Sequence, residues 1–576
     1  MITYDTMQPE SMEIAVGERR RLSLVLFSLA VTVPAALVFY NFSLNATIAA
    51  MYRGESLPFL NHLLRNSGDT PLSYFVARGR NLFSYLILLD VVAHILLAVL
   101  LARNFTWRTL VDFFTTPTSP LNLAIFRIAV FVGVLSQIHP WETRWFGNVP
   151  HELQMAPFGV GWLLPHLPIS QSSMTIAITL LTVVCVTGLL GLFTRISVVL
   201  ALIGSFYVLG VPEFYGTVEH YNHLVWFLAI LAVSRSGDAL SLDALIRASK
   251  SKDQGVTTPL QPSIVYSLPL RFACLLIGAI YFFPGAWKMR ICGFDWAFSE
   301  NLRNQMYARW MDLDGWTPFF RVDLHPGIYR SVALATLFFE LSFILIVFFP
   351  RLRLPLALVG LGFHFGCGLF LRIPFFDLWI CYVALFDISG WLVTLKQKFP
   401  RLMLSPRGLA RSNADEDGSR NVFVVGEKPS RWMPIAMVGT LLLIGCCYAG
   451  SLGIVRGWPF ACYPRFAWNP DTEVQSVEVS ALTPAGQVVF RGTPDLHRTL
   501  PYHAFGGQIA VLISTRQQEP RRFAEQIKAL WKLNVQQDSR LEKASIIRCY
   551  LVTLNTIPEL SGENPVRREF IFEFSP

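Results

Sequence analysis

The residue with the most chemical promise is a lysine that closes an aromatic run. Lys288 follows Tyr281-Phe282-Phe283-Pro284-Gly285-Ala286-Trp287, where Pro284 and Gly285 are expected to break or kink a helix and open space beside the amine. An amine held out of water gives up its proton more readily and can serve as a base near neutral pH. The plainer reading is a terminal lysine reaching for the membrane interface. Glu340 lies between Phe339 and Leu341 deep in an apolar run, where a carboxyl needs a partner or a proton. His220-Tyr221-Asn222-His223 gathers two imidazoles and an amide at the mouth of another apolar run, just after Glu213 and Glu219; residues wetted by headgroups are the alternative there. Its three-residue spacing supplies two metal ligands and no obvious third, so no metal is expected. His364, within Gly362-Phe363-His364-Phe365-Gly366, sits among residues that permit close helix approach and reads as a core hydrogen-bonder or as an acid or base lining a cavity. Asp90 and His94, one turn apart, read as a structural pair. Arg127, in Phe126-Arg127-Ile128, reads as an arginine that snorkels and fixes depth.

Side chains of this kind must be held by lipid-embedded elements. With 53% hydrophobic and 15% charged residues and a mean hydropathy of +0.44, the chain is too apolar for the surface of a water-soluble protein. Its net charge of +9 is spread in short clusters between apolar runs rather than in one stripe, so no nucleic-acid partner is expected. A membrane-spanning helix needs roughly 20 apolar residues. Eleven runs are candidates: 22–42, 85–101, 121–138, 174–193, 196–211, 223–233, 264–287, 331–349, 355–371, 378–395 and 432–454, the fifth and sixth being short. The first has no cleavage site after it and reads as a retained anchor.

Orientation follows from lysine and arginine in short loops. Arg19, Arg20 and Arg21 place the N-terminus in the cytoplasm; alternation then puts Arg103 and Arg108, Arg195, Arg235 and Arg247, Arg351 and Arg353, and Lys396 and Lys398 on the same side. The loop 139–172 holds only Arg144, as an outer loop should, while the long loops 44–82 and 289–329 carry several arginines and obey the rule poorly. The expected fold is mainly α, a polytopic transmembrane bundle of about eleven helices with a small C-terminal extracytoplasmic α+β domain. Its divisions are 1–117 with two helices, a core at 118–397, a charged cytoplasmic linker at 398–431, a last helix at 432–455, and the outer domain at 456–576. In that domain 474–482, 487–491, 508–514, 545–554 and 569–574 have strand character and 520–532 has helical spacing. Nine scattered cysteines make no zinc pattern; Cys462 and Cys549 share a compartment and could pair.

Taken in order, these motifs carry a likeness. Ser119-Pro120, Phe126-Arg127, Gly191-Leu192-Phe193-Thr194-Arg195-Ile196-Ser197, Asn222-His223, Tyr281-Phe282, Gly285, Lys288, Asp295-Trp296, Glu340 and His364 make the stretch from about 118 to about 395 resemble the HTTM domain, the membrane core shared by vitamin K-dependent gamma-carboxylase and many bacterial proteins. In the carboxylase a lysine after the aromatic-glycine stretch deprotonates vitamin K hydroquinone, and the oxygenated quinone then takes a glutamyl proton before carbon dioxide adds. The resemblance implies that Lys288 is the catalytic base with His223 beside it, that Asn222, His220, His364 and Glu340 surround a vitamin K-type hydroquinone, and that the site faces outward, as the charge pattern independently places Lys288. It also implies a protein or peptide substrate on the outer face. Departures limit the transfer of glutamate carboxylation: Trp287-Lys288 stands where the carboxylase has two lysines, and nothing in 456–576 matches its lumenal region.

Two function classes therefore compete. One is a quinone-dependent, carboxylase-like membrane enzyme; the other is a non-catalytic transport or assembly component with a polar cavity and a partner-docking outer domain. Either is integral to a membrane in contact with lipid, with the N-terminus cytoplasmic and the C-terminus outside, and the bacterial plasma membrane is favoured over the endoplasmic reticulum.

Overall fold

The computed structural model describes residues 9–53, 71–101, 103–216, 220–253, 260–313, 315–347, 349–398, 428–462, 466–492, 505–560 and 565–576. Glu219 and most of the 398–431 linker lie outside these residues. Every apolar run expected to span coincides with helix. Among the described residues nine helices are long and apolar enough to cross a membrane, and a tenth crossing forms if the pair Phe376–Leu385 and Ile388–Leu395, bent by 68°, counts as one. The sixth run, 223–233, is the short helix Asn222–Ala232, too short to span a bilayer at 1.5 Å per residue. It is walled in by protein, with nine of its residues buried.

The helices that matter for the site are α1 (Pro9–Phe42), α2 (Leu72–Leu101), α3 (Pro120–Gln137), α4 (Gln171–Leu190), α5 (Thr194–Val208), α6 (Asn222–Ala232), α7 (Ile264–Cys292), α8 (Asn301–Met311), α9 (Pro326–Ser342), α10 (Arg353–Leu371), α11 (Phe376–Trp379) and α12 (Pro429–Leu452). Local chemistry sets their ends. Ser119 caps α3, with Pro120 in the first turn; Ser170 and Ser173 form a reciprocal capping box at α4. The α4–α5 turn needs Gly191, whose φ is +67° and at which a Cβ would lie 2.3 Å from Ser241 Cβ. The next helix start is capped from a distance: the Asp243 carboxylate accepts from the Phe193 and Thr194 backbone N–H groups and from the Thr194 hydroxyl. Arg127 closes the same end. It is fully buried and donates to the carbonyls of Ser236 (2.8 Å) and Leu240 (2.6 Å), so it does not snorkel. The guanidinium instead satisfies loop carbonyls that would otherwise be stranded in a dry interior.

The pair α1 and α2 is joined by the expected polar couple. His94 Nδ1 lies 3.3 Å from Asp90 Oδ1, its Nε2 contacts Ser28 Oγ, and Thr32 donates to the other Asp90 oxygen. The C-terminal region folds as a four-stranded antiparallel sheet in the order β2-β1-β3-β4, from β1 (Glu473–Leu482), β2 (Val488–Gly492), β3 (Ile546–Asn555) and β4 (Arg567–Phe574). The 508–514 run is not a strand. It belongs to the helix Phe505–Gln518 and sends Leu512 into the core, because tertiary burial overrides a β-branched local preference. All nine cysteines are free thiols, so the Cys462–Cys549 bridge does not form.

Candidate functional site

Residues seven apart on a helix lie on one face two turns from each other, so α7 presents Tyr281, Pro284 and Lys288 together. The helix runs unbroken past both Pro269 and Pro284 to Cys292; the expected break at Pro284-Gly285 is absent. What the pair provides is proximity: a Cβ on Gly285 would approach Glu340 Cβ to 2.9 Å and Leu341 to 3.2 Å, so glycine lets α9 come close. Lys288 is therefore not at a helix tip reaching for water. It is 4% exposed, its Nζ is ion-paired with Glu340 Oε1, and it sits 4.6 Å above the Trp296 ring centroid. The other Glu340 oxygen is buried with no hydrogen-bond partner among the described residues.

This pair forms part of the wall of a cavity of about 520 Å³, within the size range of small-molecule sites. His220, His223, Glu340 and His364 face it with Lys288, among aromatic and aliphatic side chains. His223 Nε2 lies 3.4 Å from Asp377 Oδ2 without hydrogen-bond geometry. His220 stacks on Phe375 with ring centroids 5.1 Å apart, and His364 meets the same ring edge-on at 5.4 Å. Phe375 holds a left-handed backbone, φ 47°, a conformation that a bulky residue adopts only when its surroundings enforce it. Behind the histidines, the Tyr281 hydroxyl is shared between His364 Nε2 (2.5 Å) and the Tyr382 hydroxyl, while His364 Nδ1 has no partner among the described residues.

Of the six residues expected to act, five line one cavity. Asn222 is the exception, its amide donating to the Gly457 carbonyl at 3.1 Å, which ties the start of α6 to the segment after α12. Trp287, at the position of the missing second lysine, donates to the Gly450 carbonyl at 2.7 Å and fixes α7 against α12. Sequence reasoning passed over Tyr382, Phe375 and Asp377, and took Trp296 only as part of the Asp295-Trp296 motif, with no role at the site. The one available signal was Asp377 opening an apolar run, a charge needing a reason. Among the described residues no cluster of three or more His, Cys, Asp or Glu could hold a metal ion.

The cavity's polar end is roofed by α8 and by the C-terminal region. Trp296 donates to the Phe466 carbonyl (2.5 Å), Gln305 to that of Trp468 (2.5 Å) and Asn304 to that of Pro470 (3.0 Å). Arg321 bridges Asp323 (2.7 Å) and Glu559 (2.6 Å). At the head of α8, burial works to raise the Glu300 pKa, but hydrogen bonds from Tyr329 and Arg330 outweigh it and hold the carboxyl below its ordinary value. Glu559 is likewise held low, by Arg321.

Residues 115–391 match the family model described as the HTTM domain. The chain is an HTTM-domain membrane protein. No curated protein and no solved structure matches it. Every residue lining the cavity except Phe466 falls inside the HTTM domain. The cavity is thus a property of the domain, and the C-terminal region contributes one side chain to its wall. The likeness to the gamma-carboxylase core is a reading within that family.

Proposed function

We propose that the HTTM core is a membrane-embedded proton-transfer site for an apolar, ring-bearing ligand of the hydroquinone type, with Lys288 as the base and Glu340 as its proton partner. The observation that carries this reading is the Lys288–Glu340 pair, buried in the wall of an apolar cavity of about 520 Å³. The residues suit such a ligand. Aromatic walls accept a planar ring, and Glu340 and His364 line the cavity, each with a buried polar atom that has no hydrogen-bond partner among the described residues. A hydroquinone would supply an acidic phenol and two-electron redox chemistry.

The chain's own part is to bind, orient and move a proton. In this reading the amine of Lys288 accepts the ligand's proton, and Glu340, its ion partner in the cavity wall, is the group placed to relay that proton onward. Tyr281, tied to His364 and Tyr382, fixes the imidazole beside the ring. Trp296 and Phe466 exclude water from the amine. The test is dioxygen-dependent oxidation or epoxidation of added hydroquinone by purified full-length protein. The proposal expects a signal lost in Lys288→Ala and retained at reduced rate in Glu340→Gln. An undiminished signal in Lys288→Ala would refute it; absence of any signal together with a copurifying protein would favour the transport or assembly reading.

A further inference from the structure

Six residues that line the cavity, Val332, Ala335, Val359, Gly362, Phe365 and Leu369, are also exposed on the flank of the bundle; Val332 is 49% and Phe365 73% accessible. They belong to α9 and α10 alone, so the opening lies between these two helices. Its frame is visible at both ends. At the roof, α8 joins the two: Glu300 at its head takes the Tyr329 hydroxyl and Arg330 of α9, while Arg309 and Trp310 at its tail donate to the carbonyls of Leu371 (3.0 Å) and Phe370 (2.8 Å) on α10. At the sill, Phe339 meets Phe363 with ring centroids 5.5 Å apart, and a Cβ on Gly360 would lie 3.1 Å from the Phe339 ring. Between roof and sill the helices part. Gly362 and Gly366, one turn apart on α10, have no neighbour among the described residues within 4 Å of where a Cβ would stand.

We infer that this gap is a lateral portal through which a lipid-dissolved amphiphile enters from the bilayer, its ring stopping at Lys288 and Glu340 and its hydrocarbon chain lying between Val332 and Gly366 in the lipid. The inference rests on the proposed ligand site and adds to it the route and the chain. Three features favour this occupant. The cavity has its polar lining, Lys288, Glu340, His220, His223 and His364, at the inner wall, while its open side is apolar. The aqueous end is covered by α8 and the Phe466–Pro470 segment. A membrane-facing gap lined by Val, Ala, Leu and Phe offers no partner to a water-soluble ligand, whereas each methylene of a chain left in lipid loses nothing on binding.

Gly362→Phe and Gly366→Phe fill the gap from a face that has room for them. The experiment uses the full chain in lipid nanodiscs and labelled naphthohydroquinones that share one methylated head group, one without a side chain and one with an isoprenoid chain. The expected result is that the phenylalanine variants weaken binding of the chain-bearing ligand relative to the chainless one by about tenfold, roughly 1.4 kcal/mol, and that Gly362→Ala and Gly366→Ala do not. If the variants bind both ligands as the unsubstituted protein does, or lose both equally, the portal is wrong while the ligand site stands. If the unsubstituted protein binds neither ligand, or holds only phospholipid in the cavity, the site itself fails and the portal with it.

Discussion

The buried pair of Lys288 and Glu340 lends itself to a double-substitution cycle. Both side chains are about 5% exposed and each is the other's ion partner. Removing one leaves a charge in an apolar wall, which costs about 3 to 5 kcal/mol, whereas replacing both by apolar groups of similar size is often neutral or better. Lys288→Met and Glu340→Leu should therefore each destabilise by several kcal/mol, and the double variant by less than either. Trp296 makes the lysine variant slightly worse, since the ammonium lies 4.6 Å above its ring and that contact contributes about 0.5 to 2 kcal/mol. The coupling energy should exceed about 1 kcal/mol, well outside the scatter of independent sites. Reversible unfolding in mixed detergent micelles, followed by tryptophan fluorescence, reads all four corners of the cycle. Additivity within about 0.5 kcal/mol would show that the two groups do not depend on each other, and the proton-relay argument would lose its basis.

Other expectations concern the supports of the site. Tyr281→Phe removes the hydroxyl shared by His364 and Tyr382, leaving buried polar atoms unsatisfied at a cost of about 1 to 3 kcal/mol; thermal unfolding should shift accordingly and Tyr382→Phe should shift it less. Gly191→Ala places a methyl against Ser241 in a left-handed turn and should lower stability by at least about 1 kcal/mol, measured in the same unfolding assay, whereas Gly362→Ala on an open helix face should not. Glu300 and Glu559 both titrate below the ordinary glutamate value, about 4.3. Their contribution is complete above that value and is lost as pH falls through the lower folded-state values. Docking of the C-terminal region through the Arg321–Glu559 pair should accordingly be intact above about pH 4.3 and loosen as pH falls below it, seen as faster proteolysis near 557–560, and Glu559→Gln should be loosened already at neutral pH.

The membrane architecture was legible because lipid imposes a single strong rule, that spanning segments be long, apolar and helical. Each apolar run found helix, and the run at 223–233 missed the span length that its own eleven residues could not supply. Lys288, Glu340, His364, His220 and His223 were legible for a related reason: polar side chains in apolar runs are costly and must be gathered somewhere. Contacts between distant segments were not. No spacing announces that Asn222 binds Gly457, that Arg127 is consumed by two loop carbonyls, or that Phe375 wedges between two imidazoles. The break expected at the proline-glycine step does not occur, because a proline in a packed membrane helix can be absorbed by its neighbours; the space expected there does exist, since Pro284 lines the cavity without interrupting α7. The 508–514 run misled because strand preference is mostly a record of packing.

The central claim is that an apolar ring seats against the Lys288–Glu340 pair inside the HTTM domain. An experimental density map of the full chain in nanodiscs, loaded with the isoprenoid naphthohydroquinone, tests it directly. The expected map shows planar density between His364 and Trp296 with an oxygen within hydrogen-bonding reach of Lys288 or Glu340. Ligand density elsewhere, or a cavity closed over by its own side chains while the ligand remains bound to the protein, would contradict it.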